Sequence, residues 1–369
     1  MRIVIFCHSL VSDWNHGNAH FLRGVTAELS SRGHTVDVWE PRDGWSRRHL
    51  CERHGEAAVE AFHRALPGLV SREYDLAALD LEEVLDDAQL VLVHEWNDPA
   101  LVAAIGAHRA RHSGYRLLFH DTHHRACTAP AEMARMNLSA YDGVLAFGEV
   151  IRAIYLERGW SARAWTWHEA ADTRVFRADF EGRPDQDLVW VGNWGDDERA
   201  QELHEFLLQP ARRLRLRGSV HGVRYPLRAR FAIRRSGLRY RGWIPNYRAP
   251  ELFASSRLTV HVPRRPYAQA LHGVPTIRMF EALACGIPLI SAPWEDSESL
   301  FMAGRDYLSA RDGEEMTAAM REVAHDQQLA DSLRREGLRT IAARHTCAHR
   351  VDELMAIYAE LHPPAARQP

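Results

Sequence analysis

Residues 273–291, GVPTIRMFEALACGIPLIS, carry the most informative pattern in this chain. One acidic residue, Glu281, opens a short helix that closes at Gly286, and Pro288 starts an apolar strand. The Gly-Val-Pro-Thr loop before it is expected to leave the N–H groups of Gly273, Val274 and Thr276 free. Loop amides and a helix N-terminus together seat an anion, because unpaired N–H groups and the helix dipole favour negative charge. A carboxylate one turn further in would repel phosphate and suits neutral hydroxyls, as on a ribose. Phosphates on the loop and a ribose on Glu281 describe a nucleoside diphosphate, and hence a nucleotide-sugar site. Taken alone, the same residues are equally well explained as an amphipathic helix with a glycine C-cap.

Outward from this stretch, apolar strand runs alternate with helical patterns, the signal for parallel α/β sheets. Strands are expected at Arg2–Phe6, Thr35–Trp39, Leu90–Val93, Arg116–Phe119, Gly143–Ala146 and Arg163–Trp167. A polar stretch with glycine and proline breaks follows and reads as a linker over 172–186. A second series has strands at Leu188–Val191, Gly218–His221, Leu238–Arg241, Leu258–Val262 and Pro288–Ser291, and Glu314–Leu361 is almost wholly helical. The expected division is 1–171, linker 172–186, second domain 187–347, and a C-terminal helix and tail over 348–369.

The 369 residues are too many for one average core and suit two domains. No apolar run is long enough to cross a bilayer, and Met1–Cys7 reads as a buried strand rather than a signal peptide, so the cytoplasm is the expected location. Five scattered cysteines without a CxxC argue against a disulfide framework and against a structural zinc site. A net charge of −3 offers no global field for nucleic acid. The 46 basic residues are all arginine, which excludes a P-loop lysine, a pyridoxal Schiff base and a lysine nucleophile. Any phosphate clamp must then be arginine, histidine or backbone amide.

The same stretch resembles the C-terminal signature of retaining GT-B glycosyltransferases of the group-1 superfamily, and more narrowly their spore-maturation-type (CgeB-like) branch. In that family a glutamate, seven residues and a second glutamate precede Ala-x-Ala-x-Gly-x-Pro. Here Glu281 is the second glutamate, followed in register by Ala282, Ala284, Gly286 and Pro288, while the first position holds Gly273. His168–Phe176, HEAADTRVF, is similar to the segment before the family's hinge, and Leu188–Trp194 to the strand and glycine turn after it. The resemblance implies two Rossmann-like α/β domains facing each other across a cleft, with the last helix crossing back to the first. Ribose binding carries over to Glu281. Contact with the donor sugar does not carry over to position 273.

Four further clusters are candidates for the chemistry. After the first strand, Gly17 keeps one of the family's two glycines and Asn18 replaces the other; asparagine tolerates left-handed backbone, so the turn is expected to survive. Phe119–Arg125, FHDTHHR, ends a strand, where open α/β sheets face their ligands. One of its histidines, His120 by family position or His123 as the rival, is expected to meet the donor sugar or developing oxyanion, oriented by a carboxylate such as Asp121. No metal is expected there, in line with the family. In GNWGDDER (192–199), Asn193 stands where the family places arginine and Arg199 where it places lysine; Arg278 or the Arg264–Arg265 pair would replace the lost cation. In YRGWIP (240–245), the backbone of Trp243 and Ile244 would read a uracil or guanine edge, with Arg241 or Trp243 over its face.

These readings combine into a metal-independent, retaining glycosyltransferase. Its donor substrate is a nucleoside-diphosphate sugar and it needs no other cofactor. The diphosphate is held by Arg199, Arg278 and the Gly273–Thr276 amides. No nucleic-acid partner is expected and no membrane contact is indicated; the acceptor and oligomeric state stay open. A nucleotide-sugar 2-epimerase and a non-catalytic sugar-nucleotide-binding subunit are the alternatives on the same plan.

Overall fold

The computed structural model describes residues 1–178, 184–195 and 198–362; part of the expected linker (179–183), Asp196 and Asp197, and the tail from 363 lie outside them. The chain forms two compact units, Met1–Glu169 with Cys347–Pro369, and Ala170–Thr346.

The first unit is built on seven parallel strands: β1 (Arg2–Phe6), β2 (Thr35–Pro41), β3 (Arg72–Tyr74), β4 (Leu90–His94), β5 (Arg116–Asp121), β6 (Gly143–Ala146) and β7 (Ala164–Thr166). Their order is β3-β2-β1-β4-β5-β6-β7. Every residue of β4 is buried, as are Ile3 to Phe6 of β1, because helices cover both faces of a parallel sheet. The second unit repeats the plan with β8 (Gln186–Val191), β9 (Gly218–His221), β10 (Arg239–Gly242), β11 (Ser256–His261), β12 (Leu289–Ser291) and β13 (Leu308–Ser309). Here the order is β10-β9-β8-β11-β12-β13, all parallel. Its core joins Leu188, Val220, Leu258 and Val260 of the strands to Leu203, Ile233 and Met316 of the helices.

Strand order reverses at β1/β4 in the first sheet and at β8/β11 in the second. Ligand crevices of open α/β sheets lie beyond the carboxyl ends of the strands at such points. The loops in question begin at Cys7 and Glu95 in one unit and at Gly192 and Val262 in the other.

The expected strands all form, and two short edge strands, β3 and β13, were not foreseen. Arg-Glu-Tyr and Leu-Ser are too short and too polar to show a period. The helical C-terminus resolves into Gly313–His325, Gln327–Arg344 and Cys347–Glu360. The last of these belongs to the first unit, where it packs on the Ala19–Ser31 helix. Trp167, 1 % exposed, donates its indole N–H to the Arg350 carbonyl at 2.8 Å, and the Arg350 guanidinium returns a bond to the His168 carbonyl at 2.9 Å. Trp167→Ala should therefore cost about 3–5 kcal/mol, the usual loss for a buried aromatic. The check is the urea-unfolding transition, and a change below about 1 kcal/mol would show that this helix is not anchored through Trp167.

Candidate functional site

In the second unit the turn after β8 is held by close backbone approach. A Cβ on Gly222 would lie 2.1 Å from the Gly192 carbonyl oxygen, so only glycine allows the two turns to touch. Tyr225 donates to that same carbonyl at 2.7 Å and accepts the Trp190 indole N–H at 2.9 Å. Asn193 takes the Val223 N–H on its Oδ1 at 3.1 Å and offers its own carbonyl to Arg199. Asn193 thus shapes the turn in this structure.

Arg199 is the unusual group. It is 8 % exposed, its Nη1 donates to the Val262 carbonyl at 3.2 Å, and its Nε has no hydrogen-bond partner among the described residues. Burial, followed by the neighbouring Arg264, pulls its pKa down to about 9. A buried guanidinium is costly unless an anion compensates it. Arg264 pairs with Glu198 at 3.2 Å, and Arg278 pairs with Glu281. Both cations raise the local positive potential that Arg199 feels, and Arg278 raises it at His261 as well.

The loop before the Ile277–Ala284 helix differs from expectation. The Gly273 N–H donates to the Glu295 carbonyl at 2.7 Å and the Val274 N–H to the Leu271 carbonyl at 3.1 Å, so neither is open to a ligand. Gly273 has φ +87, which explains glycine there, and an added Cβ would meet Glu298 and Ser297 side-chain atoms at 2.7 Å. Thr276 stands at the helix N-cap without capping it, because its hydroxyl is bonded to His261 Nε2 at 3.1 Å. His261 is tied on its other nitrogen to Ser291 at 2.9 Å, and burial pushes its pKa down to about 3. In the first turn of this helix the Met279 N–H already donates to the Thr276 carbonyl at 3.0 Å, and the two amides before it have no intrahelical acceptor.

Glu281 does not open the helix; it lies in its second turn and is wholly buried. Its carboxylate accepts from Asn246 Nδ2 at 2.7 Å and is paired with Arg278. Asn246 follows the half-buried Trp243–Ile244 turn, so the structure joins the expected base-side and ribose-side residues. The groups above the Glu281 carboxylate are Asn246 and Arg278. His261 and Asn246 were missed in the sequence; a histidine ending an apolar strand, TVHVP, is the signal that pointed to the first.

In the first unit, Asn18 has φ −74, and the left-handed residue of the turn is Asn15 at φ 51. Asn18, at the N-cap of the Ala19–Ser31 helix, bonds Thr122, which also bonds His94 Nε2 at 2.9 Å. The Gly17–Asn18 turn is thereby joined to the end of β5. His120 is 2 % exposed, with its ring between Trp167, His94 and Phe21 at 4.8, 5.3 and 5.8 Å. Burial lowers its pKa to about 3, so it is neutral. His123 is half-buried and packs edge-on to Trp96 at 5.0 Å; of the two rivals it is the one that reaches the surface. Asp121 accepts the His123 backbone N–H at 3.0 Å and the Tyr155 hydroxyl at 2.8 Å, fixing the loop. Glu95, fully buried, is paired with Arg125, whose guanidinium lies 3.9 Å from the centre of the Trp96 ring. Burial raises the pKa of both Glu95 and Asp121.

Residues 199–356 match a family model described as "Glycosyl transferase-like". Solved structures align over nearly the whole chain. Sucrose-phosphate synthase from Thermosynechococcus elongatus has TM-score 0.66 and 14 % identity, covering 99 % of this chain and 100 % of its own. An alpha-glucosyltransferase solved with UDP and a 13-mer DNA has TM-score 0.67 and 13 % identity, with 97 % and 99 % covered. A T4 phage protein, BGT, solved with UDP and Mn2+, has TM-score 0.61 and 13 % identity, with 98 % and 99 % covered. The fold is GT-B. No curated protein matches the chain in sequence.

The buried histidines make the protein acid-labile. His120 is neutral in the fold, with a pKa of about 3, and titrates near 6.5 when unfolded. Unfolding then takes up a proton in this window, so the contribution to stability is full above about pH 6.5 and is lost as pH falls. The raised pKa values of Glu95 and Asp121 act in the opposite sense, favouring the fold at lower pH. His120→Phe should flatten the dependence of unfolding free energy on pH by about 1.4 kcal/mol per unit between about pH 4 and pH 6. Denaturant melts at three pH values test this; an unchanged slope would mean that His120 is protonated in the folded protein.

Proposed function

We propose that the protein is a glycosyltransferase that moves a sugar from a nucleoside-diphosphate donor to an acceptor hydroxyl with retention of anomeric configuration. The single observation that carries this reading is Arg199: a buried guanidinium whose Nε has no hydrogen-bond partner among the described residues, beside Arg264, Arg278 and a helix N-terminus without a side-chain cap. That arrangement suits a diphosphate, whose negative charge matches a cluster of three arginines. The GT-B fold and the family match over 199–356 support a sugar nucleotide as the carrier of that diphosphate.

In this reading the second unit binds the donor. Arg199, Arg278 and the amides at the start of the Ile277–Ala284 helix hold the diphosphate. Asn246 and the Trp243–Ile244 turn meet the nucleoside. Glu281 acts by positioning Arg278 and Asn246, since both cover its carboxylate. Glu298, packed against Gly273, supplies an acid beside the loop where the family has its first glutamate. In the first unit, Trp96, backed by Arg125 and His123, offers an aromatic face to the acceptor.

The reaction requires no protein nucleophile. As the sugar–phosphate bond breaks, a phosphate oxygen takes the proton of the acceptor hydroxyl, and that hydroxyl bonds the anomeric carbon on the same face. Arginines and amides stabilise the charge left on the diphosphate. In our reading they supply what a divalent cation would, so the transfer is metal-independent. None of the five cysteines, all among the described residues, is in a disulfide, which suits the cytoplasm.

The test is a thermal-shift panel of UDP, GDP, ADP and dTDP, in which at least one diphosphate should stabilise the protein strongly and its monophosphate much less. Arg199→Met should weaken that ligand by about 10- to 100-fold, as expected for losing a charged hydrogen bond. The same variant should be no less stable than the parent without ligand, because it removes an uncompensated buried charge. A variant that melts earlier and binds normally would make Arg199 a structural residue and remove the basis of the donor site.

A further inference from the structure

A second cluster lies in the first unit, away from the strand ends described above. The Pro99–Arg111 helix begins after β4 and ends before β5, so its last turn lies toward the amino ends of the strands. His108 and His112 are four residues apart, one helical turn, and their rings stack at 4.2 Å with 19° between planes. Glu82 reaches them from the short Leu81–Val84 helix, where Asp80 accepts the Glu82 N–H at 2.9 Å and fixes the turn.

The donor atoms converge. Glu82 Oε1 lies 3.2 Å from His112 Nε2, and Glu82 Oε2 lies 3.5 Å from His108 Nε2. One ligand atom from each of the three residues lies within 4.8 Å of the others. A tetrahedral ion with bonds of about 2.0–2.1 Å holds its ligands roughly 3.4 Å apart. The spacing therefore already approaches that of a coordination shell.

The observation that points to a ligand is His108 itself. It is 4 % exposed, and its Nε2, aimed at Glu82, is buried and makes no hydrogen bond. Its other nitrogen, Nδ1, is 3.0 Å from the hydroxyl of Tyr115. In the tautomer that donates Nδ1–H to Tyr115, Nε2 turns its lone pair toward Glu82 Oε2, 3.5 Å away, and two acceptors face each other. A cation between them resolves that conflict. The Nδ1 contact is also the outer-shell bond that metal-ligating histidines usually make.

We propose that Glu82, His108 and His112 form a binding site for a first-row transition ion, zinc by preference, with water completing the tetrahedron. Two imidazoles and a carboxylate suit Zn2+ and are poor ligands for Mg2+ or Ca2+. The site is structural: it clamps the Leu81–Val84 turn to the Pro99–Arg111 helix. Arg111, with its Nη2 4.0 Å from Glu82 and mostly exposed, is free to swing outward when the ion enters. The proposal is independent of the donor site.

The test uses the full chain, stripped with a chelator and titrated with ZnCl2 and, as a spectroscopic probe, CoCl2. Because the chain has 22 histidines, the readout is a difference between variants. His112→Ala and Glu82→Gln change exposed side chains and should leave the metal-free fold and melting temperature unchanged. The parent should take up one zinc that each variant lacks, show a zinc-dependent rise in melting temperature that each variant loses, and give tetrahedral cobalt bands that neither variant gives. Affinity at this site should fall by about 100-fold or more, beyond the 10- to 100-fold typical of losing an outer-shell partner. Equal zinc stoichiometry and equal thermal shift in parent and variants, or no zinc binding by the parent, would overturn the proposal. Nucleotide binding by His112→Ala should match the parent, so failure here and failure of the donor-site reading give different results.

Discussion

Parallel strand pairing is the constraint on which the rest of this protein depends. Every strand pair in both sheets is parallel, so within each unit all the strands end on the same edge. Parallel strands need covered faces, which the intervening helices supply, and leave their carboxyl ends as the places where polar loops gather. Chemistry is then concentrated where strand order reverses. In the first unit that point carries His94, Glu95 and Trp96. In the second it carries the Gly192–Arg199 turn, His261 and the arginines beyond it.

The two clusters manage buried charge differently. In the first unit Glu95 and Asp121 are buried with partners at hand: Arg125 for one, the Tyr155 hydroxyl and a backbone amide for the other. Such groups hold a loop in place and carry an exposed aromatic, Trp96, on their outer side. In the second unit Arg199 is buried against backbone carbonyls, with further cations as neighbours. A fold tolerates an arrangement of that kind when a ligand supplies the missing charge. That difference supports the proposed placement of the anion in the second unit.

Glu281 shows why a motif and a contact are different things. Its position in the helix follows the sequence pattern, and its link to the base-side turn runs through Asn246. Helical spacing places a residue on a face; it does not say which longer side chain lies over it. Arg278, one turn earlier, is paired with the carboxylate. The loop amides behave similarly. The Gly273 N–H is consumed by the Glu295 carbonyl, which chain packing brings near, and the Val274 N–H by Leu271 in a local turn.

Much of this protein was readable in its residues because short-range physics writes regular patterns. Strand and helix alternation, the two-domain length, the absence of lysine and the Glu281–Pro288 spacing are properties of neighbours in sequence, and they suffice for the parallel α/β class. The identity of the reaching side chains was decided by the tertiary structure. His120 and His123 are three residues apart and indistinguishable in the chain, yet one ring is enclosed by Trp167 and Phe21 and the other meets Trp96. Likewise Glu82 lies 26 positions from His108, and only the packing of two helices sets their charges face to face. Burial and convergence are sums over distant segments, and no local period encodes them.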